Sequence, residues 1–284
     1  MREVAVVTTG FFDGVHRGHR HVLETVVSSA RLRGEEAIVL TFWPHPRTVL
    51  QQDARELRLL TSLEEKKTLL AAAGVDRVEV LPFTRAFAAL TATEYLAKMR
   101  ADYGASVVVM GYDNRIGSDH RTAAELDGVV CCAEAEPALH ISSTHIRRAL
   151  SEGDIDRANA MLGYPYPLLG AVVAGNRVGR TLGFPTANMC LYEPLKAVPG
   201  NGVYAVEAEV QGKTFRGMCN IGLRPTVGGS ARSIETHILD FDQDIYGLPL
   251  RIRFLRRLRE ERKFPSMDAL RVQLEKDAAV VARM

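Results

Sequence analysis

Residues 8–19 read TTGFFDGVHRGH and join a short apolar run, Val4–Thr9, to a segment with helical spacing. A glycine-bearing turn between a strand and a helix lets a ligand approach the backbone, and the first helical turn offers unpaired N–H groups to phosphate oxygens. His16 and His19 are three positions apart, so both imidazoles can face one ligand and stabilise charge on a phosphorus atom under attack. The stretch therefore predicts an α/β fold with a phosphate site after its first strand. Taken alone, it is equally consistent with a glycine-rich turn and two incidental histidines.

Strand-like and helix-like segments alternate outward from this turn, which predicts βαβ units and a parallel, doubly wound sheet. Ligands of such sheets bind beyond the carboxyl ends of the strands. The loops Thr9–His19, Thr41–Pro46 and Gly111–Gly117 follow predicted strands and are the first places to expect a site. The other predicted strands are Ala37–Phe42, Arg77–Leu81 and Ser106–Met110, and the predicted helices are His19–Leu32, Leu63–Ala73 and Thr93–Asp102.

The pattern changes in the middle of the chain. A helix over Ile155–Leu162 is predicted to end at Gly163, and prolines follow closely, as in a linker. Beyond this point glycine- and proline-containing turns separate β-like runs, which predicts a small antiparallel barrel, and Ser266 can cap a terminal helix. We therefore expect one domain over residues 1–163 and a second over residues 164–284. The β-like runs are Leu168–Ala174, Gly202–Val210, Thr214–Ile221, Ser233–Phe241 and Leu250–Leu258.

The composition is that of an ordinary globular protein: of 284 residues, 46% are hydrophobic and 25% are charged. The net charge of +2 is too small to argue for nucleic-acid binding. No apolar run approaches the length that spans a bilayer, and no charged and apolar leader precedes the first strand, so we expect neither membrane insertion nor secretion. The four cysteines include no C-x-x-C pair and favour a reducing cytoplasm.

Hydroxyl side chains precede another helical stretch at Ser142, Ser143 and Thr144. One of them is expected to cap this helix, and capping alone would account for the group. Arg147, at the next turn, is placed to reach the phosphates of a nucleotide shared with the histidines.

Two segments of the second half suggest a different chemistry. Thr186 and Asn188 are two apart in an extended segment, so they project on one side and offer neutral oxygens to a Mg²⁺ ion that shares phosphates. A bulged β-turn is the structural alternative. Glu235 lies in a predicted strand, where an inward carboxylate can accept the proton of a substrate hydroxyl during phosphoryl transfer. A solvent-facing Glu235 is the alternative for that residue alone.

The first half resembles the nucleotidylyltransferase domain of bacterial bifunctional riboflavin kinase/FAD synthetases. The family's opening motif, T-x-G-x-F-D-G-x-H-x-G-H, is matched over Thr8–His19, and its S-S-T-x-I-R element is matched over Ser142–Arg147. In that family the domain joins FMN to the AMP part of ATP and releases pyrophosphate. The resemblance implies that His16 and His19 bind the triphosphate and stabilise the transition state. Further nucleotide contacts are implied at Gly10, Phe12, Asp13, Gly14, Asp113, Ser143, Thr144 and Arg147.

The second half is similar to the riboflavin kinase of the same family over Gly179–Asn188, Asn220–Gly229, Glu235–Phe241 and Leu258–Phe264. Such a kinase is a six-stranded barrel that uses Mg-ATP to phosphorylate the ribityl 5′-hydroxyl. The resemblance implies that Glu235 is the catalytic base. The implied magnesium contacts are Thr186 and Asn188, and Gly179–Gly183 is the implied flap over ATP. The implied ATP contacts of this half are Gly179, Arg180, Gly183 and Pro185. The implied flavin contacts are Asn114 in the first half and Arg224, Gly228 and Gly229 in the second.

These resemblances predict a bifunctional enzyme that acts on riboflavin, FMN, FAD and ATP with Mg²⁺, without a nucleic-acid or membrane partner and with weak self-association left open. The alternatives are a riboflavin kinase with a degenerate first domain and a non-catalytic, flavin-binding regulatory protein. The kinase-only alternative depends on residues 111–117, which read GYDNRIG. They keep Asp113 and both glycines of the family's G-x-D-F-x-F-G segment, but carry Asn114 and Ile116 in place of aromatic residues.

Overall fold

The strand β1 (Ala5–Thr9) is buried along its whole length and forms the centre of a parallel sheet. A computed structural model describes residues 4–50, 56–136, 140–175, 178–226 and 229–284. The chain forms two compact units, Met1–Ser143 and Thr144–Met284. The domain boundary that the sequence places after residue 163 stays a prediction.

The sheet of the first unit has its strands in the order β3-β2-β1-β4-β5, and every pairing is parallel. The chain passes from β1 outward to β3 and then returns to the other side of β1. Since the strand order reverses between β1 and β4, a crevice forms beyond the carboxyl ends of these two strands. The predicted doubly wound sheet is confirmed. The other strands are β2 (Glu36–Trp43), β3 (Arg77–Pro82), β4 (Ala105–Gly111) and β5 (Val129–Cys132).

Helices cover both faces of this sheet. Successive side chains of a strand alternate between faces, so Val6 packs with the cluster that includes Val26 of α1 and Leu70 of α3, whereas Val7 packs with Leu96 of α5. Both faces are thereby buried, which fixes the strand ends and the loops that follow them. The helices of this unit are α1 (Arg17–Arg33), α2 (Pro46–Leu50), α3 (Leu63–Ala72), α4 (Arg85–Ala88) and α5 (Ala92–Tyr103).

The second unit contains a closed antiparallel barrel with the strand order β10-β7-β6-β11-β8-β9. Closure leaves no free sheet edge. The predicted barrel is confirmed, but the β-like runs omitted β7, because it is short and follows a proline-containing turn. The strands are β6 (Pro167–Val173), β7 (Ala187–Leu191), β8 (Gly202–Val210), β9 (Lys213–Thr226), β10 (Gly229–Ile238) and β11 (Pro249–Arg259), and the helices are α6 (Ser143–Glu152), α7 (Ile155–Leu162), α8 (Val178–Thr181) and α9 (Met267–Val281).

The helix α9 is attached to the barrel by a buried ion pair. Its first turn is capped by the hydroxyl of Ser266, as the sequence predicts. Asp277 is 5% exposed, and its Oδ2 accepts a hydrogen bond of 2.8 Å from Nε of Arg259 on β11. Gln273 donates to the other oxygen of Asp277 at 2.7 Å. Both carboxylate oxygens are therefore satisfied inside the unit, and the helix is held against β11.

We expect Asp277→Ala to destabilise the second unit by about 3 kcal/mol, because it leaves the mostly buried guanidinium of Arg259 without its anion. Urea unfolding followed by far-UV circular dichroism measures this. Trp43 is the single tryptophan and belongs to the first unit, so its fluorescence transition should stay in place. Glu275→Ala, at an exposed position of the same helix, is the matched control. Equal stability of the two variants would contradict the expectation.

Candidate active sites

The loop after β1 has a strained backbone. Phe12, Gly14 and Val15 have positive φ angles of 54°, 81° and 37°, a region that residues with a Cβ seldom adopt. Strain of this kind concentrates at functional sites and persists only where neighbouring groups hold it. A Cβ at Gly10 would lie 3.2 Å from the Phe12 ring, so the turn also depends on a small residue at its start.

His16 and His19 stand side by side at the start of α1. His16 is the N-cap residue, and its Nδ1 accepts a hydrogen bond of 3.2 Å from the backbone N–H of His19. The two ring centroids are 3.5 Å apart, with 15° between the ring planes. Because Nδ1 of His16 accepts, the proton of its neutral ring lies on Nε2. The helix cap therefore sets the tautomer of one of the two imidazoles.

The imidazole of His19 is uncharged near neutral pH. Burial lowers its pKa well below 6.5, and a positive charge on the nearby His16 or Lys66 lowers it further. Its Nδ1 is buried without a hydrogen-bond partner among the described residues. A neutral imidazole still has one N–H to donate to a phosphate oxygen.

A cavity of about 220 Å³ opens beside the two histidines and beyond the ends of β1 and β4. The hydroxyl of Ser143 donates a hydrogen bond of 2.9 Å to the carbonyl of Asp13, which brings the end of this unit to the loop. The predicted site residues that line the cavity are Phe12, His16, His19, Asp113, Asn114 and Ser143. Tyr112, Glu134 and Glu136 line it as well and were not predicted.

The two departures from the family motif in residues 111–117 have different surroundings. Asn114 lines the cavity, whereas Ile116 is buried in the core with Ala92. A Cβ at Gly117 would lie 2.1 Å from the backbone nitrogen of Ala92, which explains why glycine is required there. Of the two substitutions, the one at residue 114 is the one that faces the site.

Asp13 and Gly14 are engaged in holding the loop. Asp13 is 4% exposed, and its carboxylate accepts hydrogen bonds from the backbone N–H groups of Leu60 at 2.9 Å and Thr61 at 3.1 Å. The N–H of Gly14 donates to the hydroxyl of Thr61 at 3.1 Å. Their contacts with a nucleotide stay predictions.

Other predicted phosphate contacts lie on α6. Nη2 of Arg147 donates to the hydroxyl of Thr144 at 3.4 Å, and the phosphate contacts of both residues stay predictions. The predicted loop Thr41–Pro46 is absent from the described lining of the cavity. It supports the neighbouring loop instead, since the hydroxyl of Thr41 donates to the carbonyl of Phe11 at 3.1 Å.

A buried lysine that contacts the loop after β1 was not predicted. Lys66 is 1% exposed, and its Nζ donates hydrogen bonds to the carbonyls of Phe11 at 2.9 Å and Phe42 at 3.3 Å. Nζ also lies 3.8 Å from the centroid of the Phe11 ring. Burial lowers the pKa of Lys66 to about 8, although the carboxylate of Asp13 acts in the opposite direction. Its position four residues before the buried Leu70, on the inner face of α3, was the available signal in the sequence.

Glu235 lies on β10 between polar neighbours of the adjacent strands. It pairs with Asn188 of β7 and with Asn220 of β9. Directly paired residues of an antiparallel ladder share a face. The hydroxyl of Thr186 donates to Oε2 of Glu235 at 3.4 Å. The structure thus brings three predicted residues together and adds Asn220.

The predicted flap is a closed turn that includes α8. The N–H of Phe184 donates to the carbonyl of Gly179 at 2.8 Å. A Cβ at Gly179 would lie 2.2 Å from the carbonyl oxygen of Phe184, and Gly183 has a φ of 81°. Both glycines are therefore required by the turn. Nδ1 of His237 donates to the carbonyl of Pro185 at 2.8 Å, which ties the turn to β10.

Two cavities of the second unit share Thr186 in their lining. The smaller, of about 350 Å³, is lined by Arg180, Pro185 and the segment 242–246. The larger, of about 650 Å³, is lined by Glu235 and by apolar side chains of α9. Thr186 and the neighbouring carboxylate of Glu235 therefore lie where the two cavities meet, so molecules bound in both would come close together here.

Three of the predicted flavin contacts lie in the second unit, near the junction of β9 and β10. Gly228 and the side chain of Arg224 lie outside the described residues, and Gly229 is the first residue of β10. Their contacts with a flavin stay predictions.

The donor set beside Glu235 suits a divalent ion that arrives with a nucleotide. Within the described ranges, no group of three or more His, Cys, Asp and Glu side chains is arranged to hold a metal ion. Thr186 and Asn188 instead supply neutral oxygens next to a single carboxylate. Mg²⁺ is commonly held in this way, with phosphates and waters completing its shell.

Comparisons with known proteins cover both units. A family model described as FAD synthetase matches residues 1–135, and one described as Riboflavin kinase matches residues 162–284. The bifunctional riboflavin kinase/FMN adenylyltransferase of Bacillus subtilis (strain 168) is 38% identical over 285 residues, which are 96% of this chain and 90% of the relative. The protein of the same name from Escherichia coli (strain K12) is 36% identical over 288 residues, which are 97% and 91% of the two chains.

A crystal structure described as a macrolide-efflux protein from Streptococcus pneumoniae has the same fold. It is 35% identical, with a TM-score of 0.94, and the match covers 100% of this chain and 95% of that one. The activity in its name belongs to that protein. Within the part of this chain that the structure describes, no helix has the length and apolar character needed to cross a membrane.

The fold, the two sites and the matched families define a transferase with two separate nucleotide-dependent activities. The chain belongs to the bifunctional riboflavin kinase/FMN adenylyltransferase family.

Proposed function

We propose that the second unit phosphorylates riboflavin with Glu235 as the base, and that the first unit transfers AMP from ATP to the resulting FMN at His16 and His19. The two activities, which give FMN and then FAD, follow from membership of the family. The observation that carries the assignment of residues in the second unit is the position of Thr186, which lines both of its cavities and donates to Glu235 at 3.4 Å.

In the kinase site, ATP occupies the smaller cavity and the flavin the larger one. The side chains of Arg180 and Thr186 then face the phosphates, and the apolar wall formed by α9 faces the ring system. Glu235 accepts the proton of the 5′-hydroxyl as that oxygen attacks the γ-phosphorus. His237 holds the carbonyl of Pro185 and so keeps the turn closed over the reacting groups.

In the adenylyltransferase site, the triphosphate lies at the N-terminus of α1. The neutral rings of His16 and His19 donate hydrogen bonds to oxygens around the α-phosphorus, where charge develops as the FMN phosphate attacks and pyrophosphate leaves. No covalent intermediate with the protein is needed. Asp113 and Asn114 follow β4 and line the same cavity, and in this proposal they orient the substrates.

ATP-dependent chemistry of this family uses a divalent metal, and we propose that the metal is Mg²⁺. Thr186 and Asn188 would hold it in the second unit, where it would share the charge of the triphosphate. Excess chelator should therefore reduce both activities to background, and added Mg²⁺ should restore them. Initial rates of FMN and FAD formation at a series of free metal concentrations measure this. Full activity in excess chelator would contradict the proposal.

A cytoplasmic location is part of the proposal. The thiols of Cys131, Cys132, Cys190 and Cys219 are all free, which suits a reducing compartment.

A time course that starts from riboflavin, ATP and Mg²⁺ tests the proposed function as a whole. FMN should accumulate first and FAD should follow, as measured by chromatography. A product that stops at FMN would support the kinase-only alternative, and the absence of both products would support a non-catalytic flavin-binding protein.

A further inference from the structure

We propose that Lys66 is a positioning residue of the adenylyl-transfer site, where its buried ammonium group fixes the loop that carries His16 and His19 against the end of β2. The proposal rests on the function proposed above for the first unit. Lys66 contacts two carbonyls, those of Phe11 and Phe42, and lies outside the described lining of the cavity. It therefore acts through the loop and has no direct contact with substrate.

The strained loop after β1 is held by α3 and by the segment that precedes it, through hydrogen bonds to three of its residues. Nζ of Lys66 binds the carbonyl of Phe11, the backbone N–H groups of Leu60 and Thr61 bind the carboxylate of Asp13, and the hydroxyl of Thr61 accepts from the N–H of Gly14. Phe12 and Val15, with positive φ, lie within or next to this held stretch. Contacts of this kind are what a strained backbone requires to persist.

A lysine is a costly residue for this position if its only task is to fill space. Lys66 occupies the inner face of α3 with Leu70, where an apolar side chain would meet the packing requirement. The carboxylate of Asp13 and the Phe11 ring partly compensate the buried charge. The neighbouring titratable groups are Asp13 and His19, and His45 packs edge-on against the Phe11 ring.

The charge of Lys66 also disfavours a second positive charge on His19, whose pKa it lowers. The pKa of Lys66 itself is lowered by burial from 10.5 to about 8. Between these two values the unfolded chain binds more protons than the folded one, so the contribution of Lys66 to stability rises with pH in that window. We expect adenylyl transfer to fall as the pH rises through about 8, because the neutral amine donates weaker hydrogen bonds to the carbonyls and loses its attraction for the ring. As the pH rises above about 8, adenylyl transfer should therefore decrease while the contribution of Lys66 to folding stability increases.

Trp43 gives this titration an optical signal. Nζ of Lys66 lies 5.9 Å from the Trp43 ring centroid, and the chain contains no other tryptophan. The fluorescence of the wild-type protein should titrate with a midpoint near pH 8. This midpoint should be absent in Lys66→Met and present in Lys67→Met, which changes the half-exposed neighbouring lysine.

The decisive experiment measures FAD formation from FMN and FMN formation from riboflavin between about pH 6.5 and 9.5 on the same preparations. Lys66→Met should reduce kcat of adenylyl transfer about 10- to 100-fold, as expected for a misplaced reactive group, and leave the kinase unchanged. Lys66→Arg should retain part of the activity and lose the decline above pH 8. Lys67→Met should behave as wild type.

Three results would overturn the proposal: wild-type adenylyl transfer in Lys66→Met, an equal decline of both activities above pH 8, or no decline at all in the wild type. The last two need no variant, so they decide the matter even if Lys66→Met does not fold. A wild-type protein that makes no FAD at any pH would instead contradict the proposed function of the first unit.

Discussion

Glu235→Gln is expected to lower kcat of riboflavin phosphorylation by about 10²- to 10⁴-fold, while conversion of supplied FMN to FAD continues at the wild-type rate. The amide keeps the shape of the side chain and can still accept from Thr186, which lies 3.4 Å away. It cannot take up the proton that leaves the ribityl hydroxyl. Because the loss is confined to proton transfer, KM for riboflavin and for ATP should change little. Initial rates of the two reactions, measured separately by chromatography, provide the test.

Glu152→Gln is the matched control for this variant, since Glu152 is exposed at the end of α6 in the same unit. It should keep both activities. Retention of FMN formation in Glu235→Gln would place the base elsewhere, and loss of both activities in a folded protein would contradict the assignment of separate sites.

His19→Ala is expected to have the reciprocal effect. Removing one donor to the developing charge should lower adenylyl transfer by about 10²- to 10³-fold, while FMN formation stays unchanged. The side chain of His19 makes no contribution to the helix cap, which uses its backbone N–H and the ring of His16. The variant therefore removes an imidazole without removing the cap.

His21→Ala controls for a change of histidine on the same helix, since His21 is absent from the described lining of the cavity. Full adenylyl transfer in His19→Ala would exclude His19 from transition-state stabilisation. A comparison with His16→Ala would be harder to interpret, because that change removes a ring and a helix cap together.

The sequence predicted the sheet and the cavity of the first unit through one physical rule. Parallel strands bring their carboxyl ends to one edge, so the loops after β1 and β4 had to meet, and with them His19 and Asn114. Alternation of apolar segments was sufficient to predict the class of sheet, because it sets the period of each element. The order of the strands was not predicted and comes from the structure.

Contacts that depend on the direction of single side chains were beyond the sequence. Asp13 belongs to the motif, yet its carboxylate turns inward to Leu60, and Lys66 reaches Phe11 across 55 positions of the chain. Nothing local encodes such pairs. The pairing of Glu235 with Asn188 could not be predicted either. Asn188 lies on β7, and local periodicity did not detect this strand.

The ion pair between Arg259 and Asp277 has a consequence for how this protein can vary. The larger cavity of the second unit has one wall made by α9, which lies outside the closed hydrogen-bond ladder of the barrel. Leu270 and Leu274 on that wall can be replaced without breaking any strand pairing, while Asp277 keeps the helix attached. The cavity wall that is proposed to meet the flavin and the strand pairing of the barrel thus depend on different residues, so substitutions can reshape the wall while the scaffold stays the same.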